Sequence, residues 1–168
     1  MSQEEKQFAR GHFKNVVQHK QLPERAWARE TGKFGAGSWE AGSALGTKDL
    51  GYCVVSLDPG RVSCPYHFHH TEEEMFFVLS GVGFLRQGDK DFEEELELTA
   101  GDFASFPGGT GIAHQFINRS EEPFVYLAVS NRVKADVCEY PDSDKIAVRS
   151  TGLILRRGPA LPYFDGEL

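Results

Sequence analysis

Three side chains able to hold a metal, His67, His69 and Glu74, fall close together in residues 60–83, GRVSCPYHFHHTEEEMFFVLSGVG. An extended strand sends successive side chains to opposite faces, so His67 and His69 share one face and Phe68 takes the other. Two imidazoles one pleat apart can therefore bind one ion. His70, Thr71 and Glu72 read as a turn, after which alternation resumes and sets Glu74, Phe76 and Val78 on a common inward face. A carboxylate on an otherwise apolar face is costly unless a cation meets it. A second stretch, residues 101–118, delivers a lone His114 between Ile112 and Phe116 on one strand face. His70 and Glu73 are competing donors, but the alternation through Phe76 and Val78 selects Glu74 and leaves His70 at the rim. His12 and His19 have no comparable setting and read as exposed.

Three imidazoles and one carboxylate form a mixed nitrogen and oxygen set, suited to Mn, Fe, Ni, Co or Zn rather than to Mg or Ca. Thiolates are absent from the set, which disfavours a structural zinc site. Cys64, just before the histidines, reads as a small residue filling a turn. A six-coordinate ion held by four protein ligands keeps two positions for water, substrate or dioxygen. Alternation also gives the walls: Phe76, Val78, Ile112 and Phe116 line the pocket, with Tyr52, Val54 and Ser56 as one register of a neighbouring strand. Such a cavity is mostly apolar with few donors. Arg61 and Arg119 are the basic residues near these stretches, which argues against a heavily phosphorylated substrate unless a distant residue such as Arg86 enters the site.

The two stretches resemble the two signature motifs of the cupin superfamily. Gly60, His67, His69, Glu74 and Gly81 occupy the places of the first motif, and Gly101, Pro107, Gly109, His114 and Asn118 those of the second. Two spacings depart from the pattern: six residues separate Gly60 from His67 and four separate Gly109 from His114. Both lie in turns, where lengthening is tolerated, so the expectation is an altered site rim around an intact ligand set. The resemblance implies a double-stranded β-helix, that is, a jelly-roll-like antiparallel β-barrel, with a divalent transition metal inside. Its relatives include dioxygenases, oxalate-degrading enzymes and sugar or sugar-phosphate isomerases, and a shared fold does not choose among them.

The elements that must position these donors are legible in outline. A chain of 168 residues suits a single domain with a well-buried core. Strands are expected over 51–58, 75–79, 82–87, 92–98, 103–106, 112–117 and 124–129, a spacing typical of an all-β sandwich or barrel. Residues 51–130 make the barrel core. Residues 1–50 form an N-terminal arm of short strands and turns packed on it, and residues 131–168 are C-terminal strands and a tail completing the same domain. Within the arm, Phe8 and Phe13 are candidate anchors, 15–18 reads as a short edge strand, and Pro23 followed by residues 25–29 allows two helical turns. Residues 138–145 read as a turn, 146–149 and 153–155 as short strands, and the stretch beyond Pro159 as extended. The acidic run Glu93, Glu94, Glu95 and Glu97 reads as a solvated strand face.

A formal net charge of −7 opposes nucleic-acid or anionic-membrane binding. The polar opening and the lack of a long apolar run point to a cytoplasmic protein, and three scattered cysteines agree with a reducing compartment. Met75, Phe77 and Leu79, on the face opposite Glu74, are apolar too, as are both faces of 124–129. A sheet with one wet face alternates with polar residues, so the arm or a second subunit must cover this one, and a homodimer is expected. The function expected is that of a metal-dependent cupin enzyme acting on a small organic molecule. The alternative is a non-catalytic small-ligand-binding module whose metal is structural or anchors the ligand.

Overall fold

The computed structural model describes residues 16–28 and 32–167. Its elements in chain order are β1 (Arg25–Ala28), β2 (Gly35–Glu40), a one-turn helix α1 (Ala41–Ala44), β3 (Gly51–Leu57), β4 (Phe68–His69), β5 (Glu74–Ser80), β6 (Val82–Gly88), β7 (Glu93–Thr99), β8 (Phe103–Phe106), β9 (Ala113–Ile117), β10 (Phe124–Ser130), β11 (Val137–Tyr140), β12 (Lys145–Val148) and β13 (Leu153–Arg156). They pair into a six-stranded sheet in the order β1-β2-β3-β10-β5-β8, a three-stranded sheet β7-β6-β9 and a four-stranded sheet β13-β12-β11-β4. The ladders are antiparallel. The two smaller sheets meet where His67 and His114 exchange backbone hydrogen bonds, His114 N–H to His67 O at 2.8 Å and His67 N–H to His114 O at 3.2 Å. The result is an all-β, jelly-roll-like barrel.

Aromatic and branched side chains fill the space between the layers. Leu57, Val78, Phe116, Phe124 and Tyr126 are each no more than 3% exposed. Strand β6 crosses this core closely at Gly83, where a Cβ would stand 2.5 Å from the Phe124 ring, so only glycine fits there. Gly81 makes the preceding turn with φ +81°, a conformation that L side chains rarely adopt. Asn118 staples the far end: its amide donates to the carbonyls of Leu57 and Glu122, and its carbonyl accepts from Ser120.

Several expectations change. Residues 25–28 are strand β1 rather than helix, because pairing with β2 satisfies their backbone groups and overrides a weak local preference. Residues 138–140 are strand rather than turn, held between β4 and β12. The turn begins only at Pro141. Residues 16–18 are not strand, and a 3-10 turn, His19–Gln21, follows them. Residues 163–166 fold into turns instead of running extended. On β3 it is Cys53, Val55 and Leu57 that meet the core, so Tyr52, Val54 and Ser56 face outward. Phe8, His12 and Phe13 lie outside the described residues.

The outer face of the large sheet keeps the apolar surplus seen in the sequence. Cross-strand register lines up Trp39, Val54, Leu127, Phe77 and Phe103 in one row over five strands. Phe103 is 69% exposed and Leu79 44%. The described part of the arm extends this sheet at its edge through β1 and β2, and the His19 ring packs on Trp39 at one end of the row, with centroids 5.7 Å apart.

Candidate metal centre

The pleat of β4 and the start of β5 bring the first three donors together. Nε2 of His67 and of His69 lie 3.8 and 3.4 Å from the same oxygen, Glu74 Oε2. The cross-strand bridge to His67 then fixes His114, whose Nε2 stands 3.1 Å from that oxygen. All three Nε2 atoms thus lie within 3.8 Å of one carboxylate oxygen, and the donor atoms of His67, Glu74 and His114 lie within 4.8 Å of one another, a set that does not include His69. Phe76 and Val78 on β5 and Phe116 on β9 are buried beside it, Phe106 stacks on the His114 ring with centroids 3.8 Å apart, and Ile112 packs against the same cluster.

The hydrogen bonds around the rings decide which nitrogens face inward. Nδ1 of His67 lies 2.8 Å from the Pro65 carbonyl, and Nδ1 of His69 lies 2.6 Å from Asp136 Oδ2. Both neighbours only accept, so Nδ1 donates in each case, and a neutral ring then turns a bare Nε2 lone pair toward the Glu74 carboxylate. His114 is 1% exposed; its Nε2 meets Glu74 Oε2, and its Nδ1 has no hydrogen-bond partner among the described residues. Burial pushes the His114 imidazole down to about 4. Burial also works to raise Glu74, but the three imidazoles outweigh it and hold the carboxyl at about 2. At His67 burial opposes the charge, while Cys64, Glu74 and the Pro65 carbonyl together carry its pKa up to about 9. Imidazole nitrogens and an anion converging in a largely buried site suit a cation, which displaces the proton that His67 otherwise holds, and the donor types match a transition metal.

Several groups around the site come from the C-terminal strands. Asp136, 1% exposed, holds His69 with one oxygen; the other accepts from the Thr71 backbone and hydroxyl and from the Glu72 backbone. This is the carboxylate–histidine arrangement that orients a metal ligand. A cavity of about 320 Å³ opens over His67 and His69, walled by Cys138, Tyr140, Val148, Leu153 and Ile154. Arg149 enters it from the turn after β12, ion-paired with the buried Glu72. Alternation in residues 137–140 was the one local signal for Cys138 and Tyr140, and Asp136 and Arg149 carried none. Arg86 is held elsewhere by Asp142 and Glu93, and Arg119 by Glu95. His70 sits at the rim, 46% exposed, against Glu139. Cys64 fills its turn, but its Sγ also lies 3.6 Å from His67 Nδ1.

A family model described as Cupin domain matches residues 53–130. The fold is similar to a crystal structure from Acidithiobacillus ferrooxidans provisionally named a sugar phosphate isomerase, 26% identical, with TM-score 0.78 and covering 89% of this chain and 97% of that one. It is also similar to a sugar phosphate isomerase from a cupin superfamily of Silicibacter pomeroyi, 28% identical, TM-score 0.72, covering 88% of this chain and 97% of the other. A predicted oxalate decarboxylase of Thermotoga maritima shares the fold at 20% identity, TM-score 0.58, over 70% of this chain and 99% of that one. No curated protein sequence matches the chain.

Proposed function

Because residues 53–130 form a cupin domain, we propose that this chain is a metal-dependent enzyme in which His67, His69, Glu74 and His114 hold a divalent transition ion, and that it isomerises a small, anionic, sugar-like molecule. The observation that carries the metal reading is the meeting of three imidazole nitrogens within 3.8 Å of one carboxylate oxygen. When bound, such an ion supplies Lewis-acid polarisation of substrate oxygens. Asp136 and the Pro65 carbonyl fix the ring orientations of His69 and His67. Arg149 is the arginine on the cavity wall and suits a carboxylate or phosphate group of the substrate. Val148, Leu153 and Ile154 form an apolar wall of the same cavity. Tyr140 lines the same wall, and burial raises its phenol, so it keeps its proton and serves as a donor. The isomerase choice is supported by the two relatives named for sugar phosphates, which exceed a quarter identity and align over nearly their full length.

A second reading, a ligand-binding module without turnover, is favoured by the state of the carboxylates near the cavity, Asp136 on its wall and Glu72 behind Arg149. Isomerisation needs a base, and Asp136 is fully hydrogen-bonded while Glu72 is tied to Arg149. The discriminating experiment starts with metal analysis of untagged protein. Proton exchange and aldose–ketose interconversion are then followed by NMR with phosphorylated sugars, alongside oxygen uptake. Interconversion without oxygen consumption is the expected result. Ligand-dependent thermal stabilisation with no product supports the binding module, and oxygen consumption overturns the isomerase. His69→Ala is expected to remove the metal while leaving the far-UV circular dichroism unchanged; retained stoichiometric metal refutes the ligand assignment.

A further inference from the structure

The donors on the inner face do not stop at the four residues already assigned. His67 and His114 are opposed across one bridge, and His69 and Cys138 are opposed across the next, in the register of β4 with β11. Directly opposed residues of an antiparallel pair point to the same face with neighbouring Cβ atoms. Hence His114, His67, His69 and Cys138 form one patch of donors, with Glu74 approaching from the facing sheet. The Sγ of Cys138 and one ring nitrogen each of His67 and His69 all lie within 4.8 Å of one another. A tetrahedral ion with bonds of about 2.3 Å to sulfur and about 2.0 Å to nitrogen sets such atoms about 3.5 Å apart, so the three side chains draw together by up to roughly 1.3 Å when it binds.

Two further observations point the same way. Cys138 is a free cysteine, 6% exposed, whose Sγ has a weak contact at 4.0 Å with the Glu139 carbonyl and a side-chain hydrogen bond with Tyr140. The His114 ring in the same patch is 1% exposed, with its Nε2 3.1 Å from Glu74 Oε2 and its Nδ1 without a hydrogen-bond partner among the described residues. Cys64, by contrast, touches the Nδ1 edge of His67, the edge already turned to the Pro65 carbonyl.

We infer that Cys138 is a further protein ligand at this centre, joining the metal as a thiolate on the cavity side of His67 and His69. In that step the S–H bond breaks, the proton leaves to solvent, and a sulfur lone pair makes the new bond to the ion. The inference rests on the metal site proposed above and narrows its occupant. A thiolate among imidazoles favours zinc, iron, cobalt or nickel over manganese, and it takes one position that would otherwise hold water or substrate.

The test is X-ray absorption at the zinc edge of the zinc-loaded full chain, with metal content measured in parallel. A sulfur scatterer at about 2.3 Å beside nitrogen and oxygen at about 2.0–2.1 Å is expected in the unaltered protein. It should vanish in Cys138→Ala and persist in Cys53→Ala and Cys64→Ala. The unaltered protein decides the matter even where a variant fails to fold: stoichiometric zinc with a nitrogen and oxygen shell alone overturns the thiolate while sparing the metal site. Sulfur lost only in Cys64→Ala reassigns the ligand and overturns it as well. Failure to retain any zinc, or the other ions tried, overturns both.

Discussion

Asp136 shows how much one residue outside the donor set can control. Its carboxyl accepts from His69, Thr71 and Glu72, and although burial works to raise it, those hydrogen bonds hold it at about 2, against 3.8 for an unperturbed aspartate. The folded protein thus binds this proton more weakly than the unfolded chain. The stabilisation is complete above the unfolded value of 3.8 and is lost as the pH falls through about 2; it is worth about 2 kcal/mol. Asp136→Asn is therefore expected to flatten the acid limb of metal-free urea unfolding between these values, and to weaken zinc affinity roughly 10- to 100-fold by isothermal titration. An unaltered acid limb would contradict the role. Arg149 has a different signature. Arg149→Ala should weaken binding of a phosphorylated sugar roughly ten- to a hundredfold, the range for a charged hydrogen bond, while Arg149→Lys recovers part of it. Metal content should not change in either variant.

At the scale of elements, the donors are placed by two ladders of unequal legibility. Along β5 the apolar alternation of Phe76 and Val78 announces the inward face locally, because burial there follows a period of two, whereas 113–116 on β9 are buried on both faces. Along β11 the same rule operates over only four residues with a glutamate among them, and the run reads as a turn. What makes it strand is pairing with β4 and β12, the first a contact between segments about 70 positions apart. The helical reading of 25–28 fails for the same reason. Strand β6 offers a test of close packing: Gly83→Ala pushes a methyl into the Phe124 ring and should lower urea-unfolding stability by about 1–3 kcal/mol without changing metal content. A neutral effect would mean that β6 can move away from the core.

For the whole molecule, the apolar surplus lies on the outer face of the six-stranded sheet. Trp39, Val54, Leu127, Phe77 and Phe103 form a row that the described residues leave partly exposed, and a second copy of the chain is the proposed cover. Light scattering at micromolar concentration should give twice the chain mass, and Phe103→Glu combined with Leu79→Glu should halve it with metal binding intact. A monomeric unaltered protein would remove the proposal. No helix among the described residues is long and apolar enough to cross a membrane. The all-β class, the two motifs and their donors are legible in the chain's own order of residues, because strand periodicity and motif spacing are local properties. Asp136 behind His69, Cys138 beside it and Arg149 over the cavity take their places only in the folded protein. Their positions depend on strand register and on which edge the C-terminal strands join, and register is fixed by contacts between distant segments rather than by any residue's neighbours in the chain.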